Sequence, residues 1–258
     1  MRTIDLDNWE AFSPEVAKLH KQYPELPHKP MLYRGQSDAS FKLRTTLERE
    51  SAPLLNVVEH YRKIYADKKR IETETGQSWE ELDFLKLDHM LKLGFRSDCL
   101  PGFEYKVYRR HQGYPSPLLD WTTCPYIAAF FAFKEKNSPA THVSIYVFQD
   151  ESMPKEMTAL NSPHLTQRGP YILRCHERQV NQRAVHTTCT VKDAGEWQYA
   201  CHEEVLSESA ENPILLWKFN LPAIERTTVL RDLNRRNITA RSLFGTEESP
   251  RRQWHSKG

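Results

Sequence analysis

The chain has 258 residues, of which 27% are charged and 39% hydrophobic, so it can bury one large core and is not disordered by composition. Its 36 Lys and Arg against 34 Asp and Glu leave a formal charge of +2, too even a balance for a general electrostatic grip on nucleic acid; any such grip must be local. The five cysteines form no Cys-x-x-Cys pair, which excludes a close-paired zinc framework by pattern and leaves ordinary thiols, so no metal is expected.

In chain order, residues 1–12 carry neither the basic nor the apolar region of a signal peptide, and the longest apolar run, residues 126–133, is too short to span a bilayer. A cytoplasmic protein without membrane contact is expected. Ser13-Pro14 reads as an N-cap and first helical position, with Val16, Leu19 and Tyr23 on one face before Pro24. Residues 32–35 read as a strand that runs out at Arg34 into a Gly-containing turn. Pro53 is expected to open a second helix with Leu54, Val58, Tyr61 and Tyr65 inward, and a Ser78-x-x-Glu81 capping box a third, with Leu82, Leu85 and Leu91 inward and Gly94 at its end.

Beyond these helices, residues 109–125 are dense in rigid and polar types. Pro115 and Pro117 stiffen the chain around Ser116, Leu118-Leu119 anchor it, and Asp120, Trp121, Thr122 and Thr123 present polar edges. The same residues also serve as a helix start, with Thr122 or Thr123 capping a helix at Pro125. Residues 126–133 are apolar all round and read as a buried helix; residues 143–148 and 214–219 read as core strands. Residues 161–190 fit no single pattern, and residues 246–258 form a polar, basic tail. Neither G-x-x-x-x-G-K-[ST], G-x-G-x-x-G nor G-x-S-x-G occurs, which removes the common phosphate cradles and the hydrolase elbow.

Tyr33-Arg34-Gly35-Gln36, then Arg110-His111-Gln112-Gly113-Tyr114-Pro115-Ser116-Pro117-Leu118-Leu119-Asp120-Trp121-Thr122, then Ala128, Phe131 and Ala132 resemble the FRG domain, named for its Phe-Arg-Gly motif. Tyr33 stands for the usual Phe. The resemblance extends to Arg178-Gln179-Val180-Asn181-Gln182, although Gln182-Arg183-Ala184 lacks a glycine often seen there, and to Asn237-Ile238-Thr239 through Leu243-Phe244. It implies an α+β fold with an ADP-ribosyltransferase-like central split β-sheet and flanking and inserted helices. Residues 1–245 would form one such domain, with a helical insertion at about residues 47–100.

The same resemblance implies an NAD-consuming mono-ADP-ribosyltransferase, a toxin or phage-defence effector with a possible antitoxin protein. Its acceptor is a macromolecule, with RNA favoured over DNA or protein because of local basic clusters and stacking aromatics. Tyr33, Arg34, Gly35, Gln36, Arg110, His111, Trp121, Thr122 and Tyr126 would hold NAD; a guanidinium such as that of Arg34 suits a pyrophosphate because it is a permanently charged planar fork. Arg34, His111, Asp120, Thr122, Glu177 and Gln182 are the candidate catalytic residues. The third motif stays open among Gln182, Glu177 and Glu203-Glu204, with His111 or Asp120 as alternative proton acceptors. His176, His186 and His202 carry no spacing signature and read as structural or exposed. Two rival readings are a metal-independent endoribonuclease built on His111 and His176, and a non-catalytic module that binds a nucleotide or partner.

Overall fold

The computed structural model describes residues 1–24, 30–50, 55–92, 101–136, 139–150, 164–169, 177–206 and 214–245. In chain order these form β1 (Arg2–Asp5), α1 (Phe12–Gln22), β2 (Leu32–Gln36), α2 (Thr46–Glu50), α3 (Val57–Tyr65), α4 (Lys68–Thr75), α5 (Phe84–Lys92) and α6 (Phe103–His111). There follow β3 (Leu119–Thr122), α7 (Pro125–Phe133), β4 (His142–Asp150), β5 (His164–Arg168), α8 (Glu177–Asn181), β6 (Ala184–Asp193), β7 (Glu196–Tyr199), α9 (His202–Leu206), β8 (Ile214–Pro222), α10 (Arg226–Arg235) and α11 (Ala240–Phe244). The fold is α+β.

The strands make one open mixed sheet in the order β1-β8-β4-β2-β3-β6-β5, with β7 paired to the far half of β6. Among the described residues only β1 and β8 run parallel. Helix α7 is apolar on every side because it is enclosed: β2 lies against one flank and α10 against another. Phe12, Val16, Val229 and Leu233 complete this layer. On the opposite face Leu32, Leu119, Trp121, Phe148 and Val185 form a second core. Helices α3 and α5 build a third with Trp197 and Tyr199 of β7, which is how the segment between β2 and β3 is fastened to the sheet. Among the described residues no helix is long and apolar enough to cross a membrane.

Several local expectations differ from the structure. Helix α1 begins at Phe12 rather than Pro14, because Asn8 caps a preceding turn by accepting from the Ala11 N–H at 3.1 Å. Asn56, whose side-chain oxygen accepts from Val58 and Glu59, opens α3; Pro53 and Leu54 lie outside the described residues. The Ser78–Glu81 capping box does not form. Asp83 caps α5 instead, and Glu81 reaches the buried ammonium of Lys68 at 2.8 Å, a charge that needed two carboxylates and found the second in Glu72. Leu85 is consequently 84% exposed. Gly94 and the 246–258 tail lie outside the described residues.

Candidate functional site

Strand β2 supplies the first element. Arg34 is its middle residue rather than its end, and β2 pairs with β4 at all five positions. With β3 it pairs only at Tyr33–Thr122. Beyond that point the two strands diverge, and the Asp120 carbonyl accepts Nη1 of Arg34 at 2.7 Å across the gap. Gly35 follows because α7 touches the strand here: a Cβ at this position would stand 1.9 Å from the Ala128 carbonyl oxygen and 2.6 Å from the Ala132 nitrogen. The Arg-Gly pair thus joins a cavity-facing cation to a contact that admits no side chain.

The second element is the proline-bearing loop that leads into β3. Pro115 and Pro117 have no N–H to satisfy, and the donors between and after them are met locally. Ser116 N–H donates to Thr46 Oγ1 at 2.8 Å, Leu118 N–H to Ser116 Oγ at 3.2 Å, and Leu47 N–H to the Ser116 carbonyl at 3.2 Å. His60 of α3 reaches the Pro115 carbonyl at 3.3 Å. The loop is therefore riveted to α2 and α3 before Asp120 enters the sheet. At the other end of β3 no threonine caps α7; Cys124 holds the N-cap position, and Thr122 Oγ1 accepts the Cys124 N–H at 3.2 Å.

Trp121 is held from the inner face. Its indole N–H donates to Thr187 Oγ1 at 2.9 Å, and the same hydroxyl is hydrogen-bonded with Nε2 of His202, 3.2 Å away. The Nδ1 of His202 faces Glu48 Oε1 at 2.5 Å. This buried chain links β3 through β6 to α2, whose next residue is Arg49.

Asp120, His186 and Arg110 form the charged floor. Asp120 and His186 are direct cross-strand partners, which puts both side chains on one face. The Asp120 carboxylate receives a bidentate pair from Arg110, Nε at 2.7 Å and Nη2 in closer contact, and His186 Nε2 lies 3.4 Å from Oδ1. Burial opposes ionisation of Asp120, but the Arg110 charge and hydrogen bonds, helped by His186 and Arg34, outweigh it and hold the carboxyl well below its ordinary range. Burial also weakens the hold of Arg34 on its proton, to about 10; Asp120 opposes this and the nearby Arg110 and Arg49 add to it. Arg34 Nε is buried without a hydrogen-bond partner among the described residues. A desolvated guanidinium among two others, with one shared carboxylate, is an anion site by electrostatics.

Arg34, Arg49, Asp120 and His186 line one cavity of about 740 Å³. Of the candidates named from the sequence, Tyr33, Arg34, Gly35, Gln36, His111, Asp120, Trp121, Thr122 and Gln182 lie on its wall. Arg110 stands behind it, gripping Asp120. Tyr126 is elsewhere, hydrogen-bonded to Ser13 at 3.2 Å with the Arg236 guanidinium 4.1 Å above its ring. Glu177 opens α8, but its side chain, like all of His176, lies outside the described residues. Arg34 pairs with neither Asp38, which accepts from Ser40, nor Glu48.

The structure adds Lys42, Arg44, Arg49, Phe131, His186 and Phe244 to the wall. His186 is buried on the cavity wall rather than exposed, and only the β3–β6 register reveals it; Lys42 and Arg44 share Glu203 at 3.6 Å each. Phe244 is fixed by α8, because Arg178 Nε donates to its carbonyl and Gln182 Nε2 to that of Leu243, both at 3.2 Å.

No curated protein and no solved structure matches the chain. Its residues 29–141 match the family model described as the FRG domain, a span that contains Arg34, the proline-bearing loop, β3 and α7. Over residues 29–141, the chain is similar to the FRG domain family.

Proposed function

We propose that the protein is an NAD-consuming mono-ADP-ribosyltransferase that modifies a macromolecule, RNA before DNA or protein, as a toxin or defence effector. The observation that carries this reading is the cavity-facing, half-buried Arg34 guanidinium, whose Nε is buried and unsatisfied among the described residues and whose neighbouring carboxylate is already taken by Arg110. Such a group binds a diphosphate in bidentate fashion. The cavity volume suits a dinucleotide-sized ligand, and Trp121, Phe131 and Phe244 offer walls for rings. Further support comes from order: the strands bearing Arg34, Asp120-Trp121-Thr122 and the segment after Gln182 are immediate neighbours. The ADP-ribosyltransferase-like fold calls for that convergence of its three motifs on one cleft.

In this reaction the nicotinamide–ribose bond breaks with its electron pair leaving on neutral nicotinamide, and an acceptor oxygen or nitrogen bonds to the ribose carbon. Cations at the diphosphate anchor one end while the walls fix the other. Incubation with labelled NAD+ and cell extract is expected to label RNA, and Arg34→Ala to abolish the label. Repeated absence of label on RNA, DNA and protein refutes the reading. RNA shortened without NAD+ would replace it by a nuclease.

A further inference from the structure

Proton removal from the acceptor needs a base at the cavity wall, and the candidates differ in chemistry, burial and neighbouring groups. Asp120 has its carboxylate engaged by two guanidinium nitrogens of Arg110, which makes it a poor proton acceptor at neutral pH. Gln182 is no base, and its amide donates to the Leu243 carbonyl. His111 is exposed at the C-terminal end of α6.

His186 differs from all of these. It is 5% exposed, lines the cavity, and stands opposite Asp120 on the adjacent strand. Its Nε2 lies 3.4 Å from Asp120 Oδ1, and the Phe103 ring meets it edge-on with centroids 5.6 Å apart. The arrangement is a base, an orienting carboxylate and a guanidinium that locks the carboxylate. Asp120 fixes the ring and favours its cationic form once a proton arrives, while Arg110 keeps Asp120 from taking that proton itself.

We propose that His186 is the proton acceptor for the transfer, with Asp120 and Arg110 as positioning residues. The inference rests on the NAD reading above. As the acceptor lone pair bonds to the ribose carbon and nicotinamide departs with the glycosidic electron pair, the acceptor proton passes to the imidazole. The imidazolium then releases it to solvent, so the products are ADP-ribosyl acceptor, nicotinamide and one proton.

The test uses the full chain with NAD+ and total cell RNA, measuring NAD+ affinity and nicotinamide release side by side, with a melting curve for each variant. His186→Gln keeps an N–H where Nε2 stands and has no basic nitrogen; it is expected to bind NAD+ within about twofold of the parent and to release nicotinamide at least about 100-fold more slowly. His186→Ala should regain activity with added imidazole, and Arg34→Ala should not. Should His186→Gln misfold, rescue of His186→Ala still decides. Release by His186→Gln within about threefold of the parent, or loss of NAD+ affinity with no imidazole rescue, overturns the role of His186 and leaves the NAD reading standing. A parent chain that neither binds NAD+ nor releases nicotinamide overturns both.

Discussion

Replacing Gly35 by alanine puts a methyl carbon 1.9 Å from the Ala128 carbonyl oxygen and 2.6 Å from the Ala132 nitrogen. Both atoms are helix backbone, so no side chain can turn aside. To restore even 3.0 Å, α7 must withdraw by at least about 1 Å along its contact with β2. Ile127, Ala128, Ala129, Phe130, Ala132 and Phe133 are all buried, so that withdrawal opens voids on one side and compresses α10 on the other. Overpacking of a core usually costs about 1–3 kcal/mol, and a backbone clash belongs at or above the top of that range. For a chain of this size about 3 kcal/mol lowers Tm by roughly 6–12 °C. Calorimetry or circular-dichroism melts of Gly35→Ala and Gly35→Ser should both show it, with Ser at least as severe. A Tm within about 2 °C of the parent would mean that the β2–α7 contact is not as close as the geometry states, and the placement of Arg34 would lose its explanation.

Other outcomes follow from single side chains. Burial drives the His60 imidazole pKa down from 6.5 to about 4, with Lys106 adding to it and the Pro115 carbonyl opposing. The neutral form belongs to the fold, so below pH 6.5 the unfolded chain takes up a proton that the folded chain refuses. Stability should fall by about 3 kcal/mol between pH 6.5 and 4 from this group, and urea titrations of His60→Gln should lack that share of the slope. Trp121→Phe removes the indole N–H that the fully buried Thr187 hydroxyl accepts, leaving it only His202, and should cost about 0.5–1.5 kcal/mol in chemical denaturation; no loss would dismiss the Trp121–Thr187–His202 chain as a support. Leu85→Lys should change stability by less than about 0.5 kcal/mol, since the side chain is 84% exposed; a larger loss would restore the inward face expected from the sequence for Leu82, Leu85 and Leu91.

The sequence by itself determined features that depend on near neighbours. An apolar run with alanines and a leading proline had to be a buried helix, and residues 126–133 fall within α7. Alternating and continuous apolar runs had to be strands, and they lie in β4 and β8. The Tyr-Arg-Gly-Gln segment and the proline-bearing loop stood out because rigidity and glycine have local physical causes.

What tertiary structure alone decided depends on register and distant partners. Nothing near Ser78 announces that Glu81 is drawn away by a buried Lys68, and nothing near Ala184 announces that the residue two positions on faces Asp120. Tyr126 and Trp121 are alike as aromatic candidates in the sequence, yet one turn of chain puts them on different sides of the sheet–helix layer. Cross-strand pairing has a period of two and no sequence-local marker of register, so the cavity, its cations and its histidine come into being only when β2, β3 and β6 are laid side by side.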